Sequence, residues 1–314
     1  MNKTVLAAIA ALLSLYVSAQ ESRTVYNFLR LPVSAHVAAL GGDNISIADD
    51  DASMIFHHPA LINNVSDRTI NLNAMTYMKG SATASAAFVK AVGERGTWGV
   101  FGQFMSFGTM KETDIYGQQT GEFSAKDVAI GGTFAYGLSE KISGGVTAKL
   151  ISSYIGNYSS LAAGVDLGLN YYNDENDFSL SIVARNLGGQ LSAYEDDFER
   201  MPLDLQAGFT KRLLRSPLRL SLTLVRLNDW EYGIGKHIVV GADLLLTSQF
   251  YVSAGYNAMR ASEMKISADD GSSAHGAGLS IGGGLQLQRL KINAAYAKYH
   301  VSSTSLLFNI SYTL

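Results

Sequence analysis

The chain has 314 residues, a formal net charge of −3, no cysteine, 31 glycines and only 4 prolines. The charge balance excludes a basic nucleic-acid surface, and the missing cysteines exclude disulfides and thiolate chemistry. Charged residues make up 16%, below the roughly 25% of soluble domains, although apolar residues are an ordinary 47%.

Residues 1–19 read as a secretory signal peptide. Lys3 supplies the positive charge, Val5 to Val17 the apolar run, and Val17-Ser18-Ala19 a small-residue cleavage site before Gln20. The run is too short to span a bilayer as a helix, which needs ~20 residues. No later segment is long and apolar enough, so a helical membrane protein is excluded.

Residues 20–68 show no period-two alternation, yet they carry Phe28, Leu29, Val37, Leu40, Ile45, Ile47, Ile55, Phe56, Leu61 and Ile62. A free tail of this composition would aggregate, so the segment needs a cavity to pack in. Gly41 and Gly42 allow positive φ and close approach to a wall. Asp49, Asp50 and Asp51, ahead of Ala52-Ser53, read as the cap of a short helix that Pro59 would end. Asn63-Asn64 and Ser66-Asp67 read as turn residues before the first strand. Asn44 opens an Asn-x-Ser sequon, to which no role is assigned. Asp49 to Asp51 with His57 and His58 could be drawn as ligands for zinc or iron. Adjacent histidines point in different directions, however, and no His-x-x-x-His pair supports them. Capping and packing account for these residues, and no metal or cofactor is assigned.

From residue 69 onward the pattern changes. Leu306, Phe308, Ile310, Tyr312 and Leu314 alternate with Ser305, Leu307, Asn309, Ser311 and Thr313. The same alternation recurs in fourteen segments: 69–77, 82–91, 96–106, 126–137, 142–153, 160–172, 177–187, 203–213, 217–227, 237–247, 249–258, 276–287, 289–299 and 303–313. Most are longer than soluble strands, and a strand crossing a bilayer needs ~9–11 residues. Every second connection is short, and the other set holds all the long ones: 107–125, 188–202, 228–236 and 259–275. That sorting belongs to outer-membrane barrels, whose short turns are periplasmic. The reading is an all-β, fourteen-stranded antiparallel transmembrane barrel over 69–314, plugged by 20–68. The last strand closes on the first, so no edge is left unpaired. A lumen of this width exceeds what side chains alone fill, which leaves room for the plug.

Two long loops mix aromatics with acids, which suits a protein interface. Tyr194 and Phe198 lie in 188–202, and Trp230 and Tyr232 in 228–236. They are the candidate partner-binding residues, an aromatic girdle at the membrane surface being the other reading.

Five quoted stretches carry a resemblance. "FLRLPVSAHVAALGG" followed by "DDDASMIFHHPALI" resembles the N-terminus of the PorV/PorQ group within the FadL-like outer-membrane barrels. "ARNLGGQL", then "MPLDLQAGFTKRL" and "PLRLSL", resembles the same group further along, and the match covers essentially the mature chain. The N-terminal block is most similar to the PorQ-like members. The group commonly has Asn before the Pro-Ala, where this chain has His58. The resemblance implies a plugged fourteen-stranded barrel in the outer membrane that takes part in type IX secretion. It implies a PorZ-like surface protein of the cargo attachment machinery as partner, or, in PorV-like members, the C-terminal domains of cargo.

Enzyme motifs are poor. Ser262-Glu263-Met264-Lys265 matches Ser-x-x-Lys, but its companion motifs are missing. Gly276-Ala277-Gly278 opens a strand rather than a helix, and Gly233-Ile234-Gly235-Lys236 fails the phosphate-loop spacing. The expectation is a non-enzymatic anchor with outer-membrane lipid around it and no nucleic-acid partner. The rival is a transporter of hydrophobic small molecules, with Gly282-Gly283-Gly284 kinking a strand to open the wall.

Overall fold

The computed structural model describes residues 24–268, 271–273 and 276–314. The proposed signal peptide lies outside the described residues. Fourteen antiparallel strands form a closed barrel. They are β1 (Thr69–Thr76), β2 (Ala82–Val92), β3 (Gly96–Thr113), β4 (Gln119–Gly137), β5 (Ile142–Ile155), β6 (Tyr158–Asn173), β7 (Phe178–Ser192), β8 (Asp204–Arg212), β9 (Leu218–Leu224), β10 (Ile238–Leu245), β11 (Phe250–Asn257), β14 (Leu279–Gln286), β15 (Leu290–His300) and β16 (Ser303–Thr313). A small hairpin, β12 (Ile266–Ala268) and β13 (Gly271–Ser273), stands apart in the loop after β11. Closure runs from Thr69↔Thr313 to Met75↔Leu307, so the first and last strands pair.

The faces are inverted relative to a soluble protein. Along β16, Leu306, Phe308, Ile310 and Tyr312 are exposed, while Ser305, Asn309 and Ser311 are buried. Exposed Leu, Ile, Val and Phe continue around the barrel, as a lipid-facing belt requires. Trp98, Phe134, Tyr136, Phe250 and Tyr312 are exposed toward the short-turn end, which the loop rule makes periplasmic. Much of the buried polar face is paired within itself. Asn309 donates to Asn73 at 2.6 Å, Asn293 to Asn309 at 2.8 Å, and Asn73 to Ser85 at 2.9 Å. Such pairing removes the desolvation penalty that a polar lumen would otherwise carry.

The core is the plug, which fills the lumen with short helical pieces. Ala35–Ala39 is a helix whose Ala35, Ala38 and Ala39 press on Met75, Ala295 and Leu307 of the wall. Ala52–Phe56 and Pro59–Asn64 are 3-10 turns near the periplasmic end, where Ile55, Phe56, Ile62 and Val65 pack on Val89 and Phe101. Wall glycines allow this approach. A Cβ on Gly255 would lie 2.2 Å from the Leu40 carbonyl carbon, and one on Gly145 2.4 Å from that of Pro59. Gly41 and Gly42 have φ of +105° and +96°, which side-chain-bearing residues rarely adopt.

Several expectations change. The loop expected over 107–125 is largely strand: β3 and β4 continue past the barrel rim and turn at 114–118. The loop expected over 259–275 contains the helix Ala258–Glu263 and the β12–β13 hairpin. Pro59 starts a 3-10 turn rather than ending one. Gly282-Gly283-Gly284 makes no kink: β14 pairs in unbroken register with β11 and β15 through all three. Their bare faces serve contact instead, since a Cβ on Gly282 would meet Ala39 of the plug at 2.7 Å. The register breaks elsewhere, between β3 and β4 at Ser106/Thr109 and between β6 and β7 at Val165/Leu167.

Candidate functional site: a plugged lumen beneath an outward vestibule

The acid run divides into separate tasks. Only Asp51 caps a helical turn, accepting from the Ser53 amide at 2.9 Å; it also takes the Ser34 hydroxyl at 3.2 Å, tying two plug pieces together. Asp49 receives a two-pronged contact from Arg219 of β9 at 2.7 and 2.9 Å. Arg219 also donates to Asp243 of β10 at 2.8 Å, and Asp243 meets His36 at 3.0 Å and Ser253 at 2.5 Å. Arg219 beside Asp49 holds that carboxyl below its usual range against the effect of burial. Asp50 pairs with Lys291 of β15 at 2.5 Å and accepts from the Ser66 amide at 2.8 Å. Two ion-paired acids therefore bolt the plug to the wall.

The histidines are structural. His57 Nε2 accepts from the Val33 and Ser34 amides at 3.3 and 3.2 Å. His58 Nδ1 accepts from the Ala60 amide at 3.2 Å, which caps the Pro59 turn, and its Nε2 donates to the Ile182 carbonyl at 3.1 Å. An Asn at this position could make the first bond; the imidazole adds a reach to β7. Burial holds His57 well below the usual imidazole range and pushes His58 down to about 4, so both rings are neutral. Asn44 accepts from the Ser46 amide at 2.9 Å in a side-chain turn. Gly41 presents its carbonyl to Asn257 at 3.1 Å and Arg260 at 3.2 Å.

Above the plug lies a cavity of about 1700 Å³ that opens at the long-loop end. Its floor is the start of the plug. Val25 donates to the Arg200 carbonyl at 3.0 Å, while Tyr26, Phe28 and Leu29 pack on Met105, Ala129, Ile151 and Met201. Its tall wall is the overhang of β3 to β6, with Phe107, Met110, Phe123, Asp127, Ser153 and Tyr158 on the inside. Its rim is the loop 194–200. Among the candidate partner residues, Tyr194 and Phe198 line this space, Phe198 being largely exposed. The Tyr194 hydroxyl donates to Ser153 at 2.5 Å, and burial pushes its phenol up to about 12. Trp230 and Tyr232 do not join them; both pack on the buried His237 ring of a neighbouring loop, at 5.5 and 6.5 Å between centroids.

Residues that periodicity did not single out complete the site. Arg185 donates to the Leu29 carbonyl at 3.0 Å and the Phe56 carbonyl at 3.2 Å, clamping two separate pieces of the plug together. Asn186 has φ of +60°, accepts from Lys149 at 2.6 Å and donates to the Pro202 carbonyl at 2.9 Å. Lys149 also meets Asp166 at 2.8 Å, so the β6–β7 register break is built around a buried ion pair. Gln190 donates to the Tyr26 hydroxyl at 3.2 Å and accepts from the Glu199 amide at 2.6 Å. The "ARNLGGQL" stretch thus joins plug, wall and rim loop, and its Arg, Asn and Gln, larger than the serines on the rest of the strand's inner face, are the sequence signal.

The comparisons with known proteins speak to the fold. No protein-family model and no curated protein sequence matches the chain. Among solved structures, the toluene transporter TodX of Pseudomonas putida is similar at a TM-score of 0.58 and 12% identity, covering 90% of this chain and 96% of that one. This is the FadL-type outer-membrane barrel fold. A FadL homologue of Pseudomonas aeruginosa aligns at 0.53 and 12% identity over 90% of this chain and 98% of its own. The CymD monoaromatic hydrocarbon channel aligns at 0.59 and 14% identity, over 90% and 97%.

Proposed function

We propose that this FadL-type barrel is a closed outer-membrane anchor that holds a protein at the cell surface. One observation carries the reading: a large cavity opens at the long-loop end, above a plug bolted to the wall. At about 1700 Å³ it exceeds the ~300–1,000 Å³ of small-molecule pockets and suits a protein segment. The motif resemblance at residues 28–62 adds the setting, type IX secretion, with a PorZ-like attachment protein as the partner. A PorV-like shuttle, binding cargo C-terminal domains, shares this geometry and differs only in what is bound.

A second reading, uptake of hydrophobic small molecules, is favoured by the fold shared with TodX and CymD. The β3–β4 register break beside Phe107 and Met110 would be its route through the wall.

The test places an affinity tag in the periplasmic turn 213–217 and extracts the protein gently from outer membranes for mass spectrometry. One stoichiometric surface protein, lost when 194–200 is replaced by a Gly-Ser linker, supports the anchor. A mixture of secreted proteins supports the shuttle. Bound lipid or hydrocarbon without a protein overturns both in favour of uptake.

A further inference from the structure

We propose that the vestibule takes a basic segment of its protein partner, with one lysine or arginine seated against Asp127. The inference rests on the anchor reading and adds the chemistry of what is held. Asp127 points inward from β4 and is only 7% exposed. One carboxylate oxygen takes the Ser153 hydroxyl, whereas the other has no hydrogen-bond partner among the described residues and lines the cavity. No described lysine or arginine forms an ion pair with it. Asp166 and Asp243, buried elsewhere in the barrel, each have a cation within 2.8 Å. Asp51 and Asp204 are also buried without an ion pair, but both oxygens of each accept hydrogen bonds, from Ser34 and Ser53 and from Gln206 and the Arg226 amide. A buried carboxylate without a cation is costly, so this one is placed to gain from a cation brought by a ligand.

The surroundings fit the same visitor. Tyr26, Phe123, Tyr158 and Tyr194 line the cavity, and aromatic faces attract ammonium and guanidinium groups. Glu195, Asp196, Asp197 and Glu199 are exposed on the rim against Arg200, which gives the entrance a negative field that draws in basic chains. The volume argues for a chain segment over a lone amine.

The test compares partner retention by the tagged full-length barrel with that of Asp127→Asn, Asp127→Lys and Asp127→Glu variants. Heat-modifiable gel mobility checks that each barrel is folded. Retention is expected to drop about tenfold in Asp127→Asn, further in Asp127→Lys, and to recover in Asp127→Glu. A labelled decapeptide of alternating lysine and tyrosine, titrated onto the detergent-solubilised protein, is expected to bind saturably and to lose that binding in Asp127→Asn. A glutamate–tyrosine decapeptide serves as control. Full retention by folded Asp127→Asn and Asp127→Lys overturns the inference while leaving the anchor intact. Where wild type retains no protein, the anchor itself has failed. The decapeptides then decide the vestibule's chemistry alone, and equal binding of both, or of neither, overturns it.

Discussion

The barrel has a tall half and a short half. Strands β3 to β7 run 14–19 residues, whereas β8 to β11 and β14 run 7–9. Both halves cross the same apolar belt; the tall half simply continues beyond it. On β4 the outward face is apolar at Val128, Ile130, Phe134 and Tyr136, then turns to Lys126, Ser124 and Glu122 above. The inward face meanwhile carries Phe123, Ala125 and Asp127 into the vestibule. Hydrophobic alternation therefore reports where lipid is, not where hydrogen-bonded strand ends. The division of labour follows: β9 of the short half and β15 beside it hold the plug by ion pairs, and the tall half walls the vestibule.

That contrast can be broken from the short half first. Arg219→Met leaves Asp49 and Asp243 without their guanidinium, at a cost of about 3–5 kcal/mol to plug docking. Larger single-channel currents in planar bilayers and new protease cuts within residues 43–50 are the expected results; a silent, protected barrel would mean the bolt is dispensable. Acid is the next lever. Free imidazole protonates near 6.5 and docked His58 near 4. Above 6.5 neither state carries the proton, so nothing is lost. As pH falls from 6.5 to 4, only the released plug gains it, and docking weakens by about 3 kcal/mol. Protease accessibility measured against pH should rise over that window, with His58→Asn, which keeps the cap, flattening the rise. Gly255→Val drives a side chain into Leu40 and should loosen the plug by about 1–3 kcal/mol, read as a lowered thermal midpoint for plug release. The smallest effect belongs to the tall half. Joining residue 110 to residue 122 trims the β3–β4 overhang and should change barrel stability by less than about 0.5 kcal/mol, the trimmed residues lying above the belt. Partner retention should nevertheless fall; unchanged retention would detach the overhang from the site.

Much of this architecture was legible in advance, for a physical reason. Lipid outside and a polar lumen inside force opposite chemistries on alternate residues, so segments such as 303–313 and 142–153 can be read almost to their ends. The segment 107–125 could not, because water bathes both faces of the overhang and the alternation stops. The plug residues show the other limit. Asp49, Asp50 and Asp51 look alike in sequence as a helix cap, yet only Asp51 caps; its neighbours reach wall cations 170 and 241 residues away.

Strand number, inward and outward faces, and the need to fill a lumen follow from the order of residues alone, since each rests on neighbours two apart and on the solvent beside them. The path of the plug, its ion-paired bolts and the unbalanced Asp127 follow only from closure of the barrel. Closure brings Thr69 to Thr313 and sets strands distant in sequence around one cavity, where the partner of each buried charge is chosen by proximity in space.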